Sequence, residues 1–140
     1  MVFKHELNEI SVLGDYVHLR YIYLSSNQLA EVGPLSSIKQ MLTLILDRNK
    51  IEQFNLPKMN YLQVGIWIIV QLLICQFQVI DLSYNKINTF DGLDHPMLKC
   101  LNLNYNKLTN LDTMLMDTFT NLQVLELRNN QFSSLKVKLK

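Results

Sequence analysis

The sequence predicts a repeat solenoid of the α/β class, in which short parallel strands alternate with short helical or 3₁₀ turns. Two observations indicate this class: one apolar pattern recurs along the chain, and an asparagine stands at the same place in every copy. The recurring asparagines are Asn27, Asn49, Asn85, Asn106 and Asn130. Because a pattern with a period of roughly 20–29 residues is typical of stacked structural units, we expect one turn of the solenoid per copy.

Each asparagine closes the pattern L-x-x-L-x-L-x-x-N-x-L, which is clearest in LRYIYLSSNQL (residues 19–29) and LKCLNLNYNKL (residues 98–108). The L-x-L part predicts a strand, since alternate side chains point inward. A buried side-chain amide needs hydrogen-bond partners, and in a stacked solenoid the backbone of the bends supplies them. This combination predicts about five leucine-rich repeats that form a curved parallel sheet.

A second apolar position follows each asparagine and predicts the convex side of the solenoid. It lies three places beyond the apolar residue that follows the asparagine, and the pairs are Leu29–Val32, Ile51–Phe54, Ile87–Phe90, Leu108–Leu111 and Phe132–Leu135. These pairs predict short 3₁₀ or helical turns.

The same frame extends upstream of the first asparagine. Subtracting 22 from the numbers of Leu24, Leu29, Val32 and Leu35 gives four apolar residues, Val2, Leu7, Ile10 and Leu13. The same subtraction from Asn27 gives His5. We therefore expect a partial N-terminal repeat, and a single domain over residues 1–140 that is a piece of a longer solenoid.

The spacing of the asparagines is broken once, between Asn49 and Asn85. Successive asparagine numbers differ by 49 − 27 = 22, 85 − 49 = 36, 106 − 85 = 21 and 130 − 106 = 24. The long gap contains VGIWIIVQLLICQFQ, residues 64–78, which carries no charge. Removing this segment would create LQVIDLSYNKI, a full match to the repeat, and would change the difference of 36 to 36 − 15 = 21. We therefore interpret residues 64–78 as an apolar insertion that interrupts the repeats.

Three origins of this segment stay open. The first possibility is a translated intron, since valine codons begin with GT and Phe77-Gln78 can be encoded as a 3′ splice signal. Alternatively, it is a genuine insertion, such as an apolar helix on the convex side or at an edge. The third possibility is a membrane span over residues 59–80, which is near the roughly 20 residues required. Four glutamines in this stretch argue against a span, as do repeats on both sides that require one compartment.

Composition excludes several classes of function. A net charge of +1 and 18% charged residues argue against a nucleic-acid partner. Two cysteines, no N-x-S/T site and an N-terminus without a long apolar run favour an intracellular, cytoplasmic protein. No catalytic, metal-binding or cofactor-binding pattern is present in the sequence, and we expect no enzyme and no cofactor.

The candidate binding surface is the concave face, defined as the outward positions of the predicted strands and of the residues that follow them. Its central row is Tyr23, Ile45, Asp81, Asn102 and Glu126. We predict that a partner protein contacts this face through Tyr21, Tyr23, Ile45, Asp47, Asp81, Ser83, Asn102, Asn104, Glu126 and Arg128. One position further along, Tyr84 and Tyr105 are expected to be neighbours near the bend.

The order of the small motifs adds a family resemblance. HLRYIYLSSNQLAEVGPL (residues 18–35), LPKMNYLQ (residues 56–63) and GLDHPMLKCLNL (residues 92–103) resemble the leucine-rich-repeat-containing protein twenty-three family. Members of this family are radial-spoke proteins of the ciliary axoneme. The resemblance implies a non-enzymatic scaffold in motile cilia and sperm flagella, either monomeric or in a heteromeric complex with other radial-spoke proteins. The family pattern has no counterpart of residues 64–78.

Two other functions are consistent with the same repeats. Repeats of this length also resemble the intracellular subclass that includes regulatory subunits of protein phosphatases. A membrane-attached repeat protein would use residues 59–80. The sequence favours the scaffold over both.

Overall fold

A computed structural model describes residues 6–38, 40–56, 78–93, 95, 97–111 and 119–133. In this part of the chain five short strands form one parallel sheet in chain order. They are β1 (Tyr21–Tyr23), β2 (Thr43–Ile45), β3 (Val79–Asp81), β4 (Cys100–Asn102) and β5 (Val124–Glu126). Two 3₁₀ helices, η1 (Ser11–Asp15) and η2 (Gly33–Ser37), lie before and after β1. The predicted leucine-rich-repeat solenoid is confirmed.

The strand register agrees with the repeat frame. Tyr23, Ile45, Asp81, Asn102 and Glu126 are paired in that order across the sheet. The middle residue of β1 to β4 is buried in every case, whereas its two neighbours are not. This alternation follows from the period of two of an extended chain, and it separates a core side from an outer face.

The N-terminal partial repeat is also confirmed in the described residues. The helix η1 begins at Ser11 and η2 at Gly33, and the difference, 33 − 11 = 22, equals one repeat. The hydroxyl of Ser37 donates a hydrogen bond to the carbonyl oxygen of Gly14 at 2.7 Å, which joins the two helices. Ile10 is buried, as predicted. Val2 and His5 lie outside the described residues.

The apolar pairs that follow the asparagines fill the core. The first member is fully buried at Leu29, Ile51, Ile87 and Leu108, and Val32, Phe54 and Phe90 are buried beside them. Leu111 is half-buried against this cluster, as is Phe132. Leu135 lies outside the described residues.

The asparagine side chains join each turn to the one before it. The Nδ2 group of Asn49 donates to the carbonyl oxygen of Leu46 in its own turn at 2.9 Å. It also donates to the carbonyl oxygen of Leu24 in the preceding turn at 3.0 Å. Its Oδ1 atom accepts a hydrogen bond from the backbone N–H of Leu29, again in the preceding turn, at 3.0 Å. One buried amide therefore satisfies backbone groups of two turns.

The same arrangement recurs along the stack. The Nδ2 groups of Asn85, Asn106 and Asn130 donate to the preceding turn at the carbonyl oxygens of Leu46, Leu82 and Leu103. Their Oδ1 atoms accept from the backbone N–H groups of Ile51, Ile87 and Leu108. Asn27 accepts from the N–H of Leu7 in the partial repeat. All five asparagine side chains therefore hydrogen-bond to the backbone of the preceding turn.

The sheet continues without a missing position across the long gap. The strands β2 and β3 are direct neighbours, although Thr43 pairs with Val79, whose number is higher by 79 − 43 = 36. Just before β3, the N–H of Gln78 donates to the carbonyl oxygen of Leu42 at 2.8 Å. Residues 64–77 of the predicted insertion lie outside the described residues, so its form stays a prediction.

The turn at residues 91–93 depends on a glycine. Gly92 has a φ of +76°, and a Cβ atom there would lie 2.0 Å from the carbonyl oxygen of Phe54. Only glycine accommodates both the left-handed backbone and this close approach. Beside it, His95 is buried and packs edge-on against the ring of Phe54, with the ring centroids 6.3 Å apart.

The described residues contain no helix that is long and apolar enough to cross a bilayer. The stretch considered as a membrane span, residues 59–80, lies outside the described residues up to residue 77.

We expect Asn106→Ala to lower the free energy of unfolding by about 1–3 kcal/mol, because it leaves buried backbone groups without partners. The lost contacts include the bond from Ile87 N–H at 2.9 Å and the bond to Leu82 O at 2.9 Å. Urea denaturation measures the change. Asn110→Ala, at an exposed position, is the matched control and should change stability by less than about 0.5 kcal/mol. Equal stability of the two variants would contradict the role of the ladder.

We expect deletion of residues 64–78 to leave the parallel sheet intact. Cys100 follows Phe90 by 100 − 90 = 10 positions in a turn without an insertion, and after the deletion Val79 would follow Phe54 by 25 − 15 = 10 positions. Gln63 would then stand where Gln78 stands, with the same side chain. Circular dichroism and urea denaturation should show a folded protein at least as stable as the full chain. An unfolded deletion variant would show that the segment is an integral part of the stack.

Candidate functional site

The concave face consists of three rows that run across the five turns. The first two rows are the outward residues of the strands, and the third follows the strands toward the bend. Because neighbouring strands of a sheet lie about 4.7–4.9 Å apart, each residue of a row lies beside the equivalent residue of the next turn. The third row is Ser25, Asp47, Ser83, Asn104 and Arg128, whose order follows from bonds such as Ser26 N–H to Asp47 O and Tyr84 N–H to Asn104 O.

The first turns of this face are aromatic and apolar. Tyr21 is 56% exposed and Tyr23 is 38% exposed, and they are paired with Thr43 and Ile45 of the next strand. Tyrosine exposes a large, rigid surface with little side-chain entropy to lose, and it is enriched among the residues that dominate protein–protein affinity. The structure therefore brings Tyr21, Tyr23 and Ile45 together as the sequence predicted.

The later turns of the face hold a connected polar network. Asn102 donates from Nδ2 to Oδ2 of Asp81 at 3.2 Å. In the same turn as Asn102, Asn104 donates from Nδ2 to Oε2 of Glu126 in the following turn at 2.6 Å. The backbone N–H of Arg128 donates to Oδ1 of Asn104 at 2.7 Å. Hydrogen bonds to a carboxylate are stronger than neutral ones, so these side chains are held in fixed positions before any partner arrives.

One predicted contact residue is not well placed for a partner. Ser83 is only 6% exposed, so little of its side chain is available on the concave face. The reason is its short side chain, which lies between the adjacent turns that carry Asp47 and Asn104, while its backbone N–H binds the carboxylate of Asp81 at 2.9 Å. Asp47 is itself largely covered, with a side chain that is 20% exposed.

Next to the concave face lies the bend row, formed by the residue before each asparagine: Ser26, Arg48, Tyr84, Tyr105 and Asn129. All five have a left-handed backbone, with φ between 55° and 57°. The rings of Tyr84 and Tyr105 are stacked, with centroids 4.2 Å apart and planes 9° from parallel. This contact confirms that the two tyrosines are neighbours near the bend. The guanidinium of Arg48 lies 5.5 Å from the centroid of Tyr84, which continues the stack.

The contact with Tyr105 perturbs the titration of Tyr84. The pKa of Tyr84 is raised, chiefly by the side-chain hydrogen bond with Tyr105 and then by desolvation. The nearby charges of Arg48 and Arg128 act in the opposite direction. Tyr84 is therefore neutral at physiological pH, and both arginines lie close enough to influence its hydroxyl.

The bend row was visible in the sequence as the position before each asparagine, but its backbone strain was not. Left-handed φ is uncommon for residues other than glycine and asparagine, and tyrosine has no special tolerance for it. The repeat bend imposes the conformation, while the stack of Arg48, Tyr84 and Tyr105 depends on the identity of residues in three separate turns.

Within the described ranges, no three His, Cys, Asp or Glu side chains lie together in a way that could hold a metal ion. Cys100 is a half-buried free thiol at an outward position of β4. The concave face is thus a surface of fixed shape with an aromatic half and a polar half.

We expect substitutions at Tyr105 to change the free energy of unfolding according to how well the new residue tolerates a left-handed φ. Tyr105→Asn should change the free energy of unfolding by less than about 1 kcal/mol, because relief of backbone strain offsets loss of the ring stack, worth about 0.5–1.5 kcal/mol. Tyr105→Val loses the stack and keeps the strain, so it should cost about 1–2 kcal/mol more. Urea denaturation compares the two variants. A valine variant as stable as the asparagine variant would contradict the assigned conformation.

Comparison with protein families identifies the repeat. A model described as Leucine Rich Repeat matches residues 18–41. Another, described as Leucine Rich repeats (2 copies), matches residues 96–138. Both matches include strands of the sheet and the asparagines that follow them.

Solved structures show the same architecture. An internalin C2 from Listeria monocytogenes matches 93% of this chain and 51% of its own, with a TM-score of 0.71 and 22% identity. An internalin F from the same organism matches 94% of this chain and 35% of its own, with a TM-score of 0.74 and 20% identity. At these identities the likeness concerns the fold.

Curated relatives are similar over most of the chain. Leucine-rich repeat-containing protein 23 of Homo sapiens is 29% identical over 125 residues, which is 89% of this chain and 32% of the relative. The proteins of the same name from Bos taurus and Mus musculus are 30% and 31% identical over 123 residues. The chain thus spans about a third of the length of these relatives. It folds as a leucine-rich-repeat solenoid, and its sequence is similar to leucine-rich repeat-containing protein 23 over nearly nine-tenths of its length.

Proposed function

We propose that the chain is a non-enzymatic scaffold that binds a partner protein on its concave face, as a radial-spoke component of the ciliary or flagellar axoneme. The observation that carries the binding role is the juxtaposition of exposed Tyr21 and Tyr23 with Ile45 at one end of a sheet whose other end is polar. A contiguous aromatic and apolar patch rimmed by polar groups is typical of a protein-binding surface.

Rigidity is the main physical contribution of the repeat. The ladder of asparagines and the parallel sheet hold the concave side chains in place, so little backbone entropy is lost when a partner binds. The tyrosines supply contact area that can be desolvated. The carboxylates of Asp81 and Glu126, already oriented by Asn102 and Asn104, accept hydrogen bonds from donors of the partner and so favour one orientation.

The axonemal role is supported by sequence similarity. The chain resembles radial-spoke leucine-rich-repeat proteins in the order of its motifs, and relatives named leucine-rich repeat-containing protein 23 are 29–31% identical to it. We therefore propose other radial-spoke proteins as partners, in a cytoplasmic compartment continuous with the axoneme. The proposal covers the part of such a protein that this chain represents.

We expect Tyr23→Ala to leave the fold intact and to weaken partner binding by about tenfold or more, because it removes an exposed aromatic contact from the aromatic end of the concave face. Affinity-tagged protein is expressed in cells with motile cilia, and the recovered proteins are quantified by mass spectrometry. The matched control is Val12→Ala, which truncates a residue of η1 that is 63% exposed.

Radial-spoke proteins should be recovered with the unaltered chain and with the control, and depleted with Tyr23→Ala. Recovery of a protein phosphatase without axonemal proteins would replace the proposal with a phosphatase-regulatory role. Equal recovery by all three proteins would rule out Tyr23 and its surroundings as the contact surface.

A further inference from the structure

The bend of the solenoid carries a second surface, separate from the concave face. On one side of the buried asparagines lies the bend row, and on the other lies the residue that follows each asparagine: Gln28, Lys50, Lys86, Lys107 and Gln131. The three lysines occupy equivalent places in successive turns, because their N–H groups donate to the carbonyl oxygens of Leu29, Ile51 and Ile87 in the preceding turns at 2.8–2.9 Å. We call the two rows together the bend edge.

The bend edge concentrates positive charge. Lys50, Lys86 and Lys107 are exposed, as is Arg48. Two carboxylates lie within ion-pair distance of these four cations among the described residues: Glu52, 3.2 Å from the Nζ atom of Lys86, and Asp47, 4.0 Å from Nε of Arg48. An excess of 4 − 2 = 2 positive charges therefore stands on this edge, whereas the whole chain has a net charge of only +1.

The two tyrosines of the bend edge are not explained by the fold. Their backbones are left-handed, with φ of 55° and 57°, and Asn129 shows that asparagine meets the same backbone requirement in this chain. Tyr84 and Tyr105 are nevertheless 45% and 38% exposed, and they form a flat stack that lies in the same turns as Lys86 and Lys107. A strained backbone retained for the sake of an exposed side chain points to a role in binding.

We propose that the bend edge binds an extended, acidic segment of a partner protein. Carboxylates of the segment pair with the lysines and Arg48, while its backbone and aliphatic groups lie against the stacked tyrosines. Five turns span four intervals of about 4.8 Å, or about 19 Å, which an extended chain covers with about six residues. This surface does not share residues with the aromatic half of the concave face, so the inference stands apart from the function proposed above.

The shape of the charge distribution favours a single extended chain over a broad anionic surface. The positive strip is narrow, since Glu52 borders it on one side and Asp81 and Glu126 lie in the same turns on the concave side. These carboxylates repel a bilayer or a nucleic-acid duplex that would cover them, whereas a narrow peptide avoids them.

The test uses the full chain and a fluorescein-labelled hexaglutamate peptide, with binding followed by fluorescence anisotropy. We expect saturable binding that weakens when the ionic strength is raised from about 0.05 to about 0.2 M, since the charges are exposed. Combined Lys50→Gln, Lys86→Gln and Lys107→Gln should raise Kd about tenfold or more. Glutamine already occupies this row at Gln28 and Gln131, so the fold should be retained.

A second variant tests the tyrosines without altering charge. Tyr84→Asn with Tyr105→Asn places at both positions the residue that the chain carries at Asn129, and should raise Kd about threefold or more. Tyr23→Ala, on the concave face, is the control and should leave Kd unchanged. Circular dichroism verifies that each variant is folded.

Unchanged Kd in the lysine variant would overturn the proposal, as would a loss of peptide binding in Tyr23→Ala equal to that in the lysine variant. Two further probes decide the class of partner. Binding of single-stranded oligouridylate, or of phosphatidylserine vesicles, as tightly as the peptide would overturn the assignment to an acidic protein segment. Failure of this surface would leave the concave-face proposal intact, because the two tests use different residues and different ligands.

Discussion

The rest of this structure depends on one hydrogen-bonding arrangement, in which a buried asparagine amide joins the backbones of two successive turns. Such short strands form few sheet hydrogen bonds, so the strands alone provide little cohesion. Each asparagine adds bonds that tie a bend to its predecessor, as Asn85 does with Leu46 and Ile51 across the longest gap in the repeat. Because burial of an unpaired amide is costly, the asparagine also specifies the register of each turn.

This constraint determines which side chains are available for binding. Once the asparagine is fixed inside the bend, the residue before it is forced to a left-handed backbone and the strand residues alternate between core and surface. The concave face and the bend edge are therefore two consequences of the same bend. The chain uses them differently: the concave face has aromatic and acidic halves, and the bend edge combines stacked tyrosines with basic residues.

Most of the fold could be predicted from the sequence, because the repeat frame ties residue type to position. The row from Tyr23 to Glu126 and the buried asparagines followed from periodicity alone. The burial of Ser83 could not be predicted this way, since it depends on the side chains in adjacent turns. The same holds for the Arg48 contact with Tyr84, which involves turns separated by residues 64–78. Periodicity also leaves the structure of that segment open, because it has no place in the frame.

The most direct test of the ladder is native-state hydrogen exchange at four of the backbone amides that donate to the buried asparagine side chains, those of Leu29, Ile51, Ile87 and Leu108. These residues lie outside the strands. If the asparagines join the turns, the backbone amides of these four residues should exchange as slowly as those of β2 to β4. They should exchange far more slowly than the amides of the exposed residues 109 and 110. Exchange at the rate of these exposed residues would contradict the account.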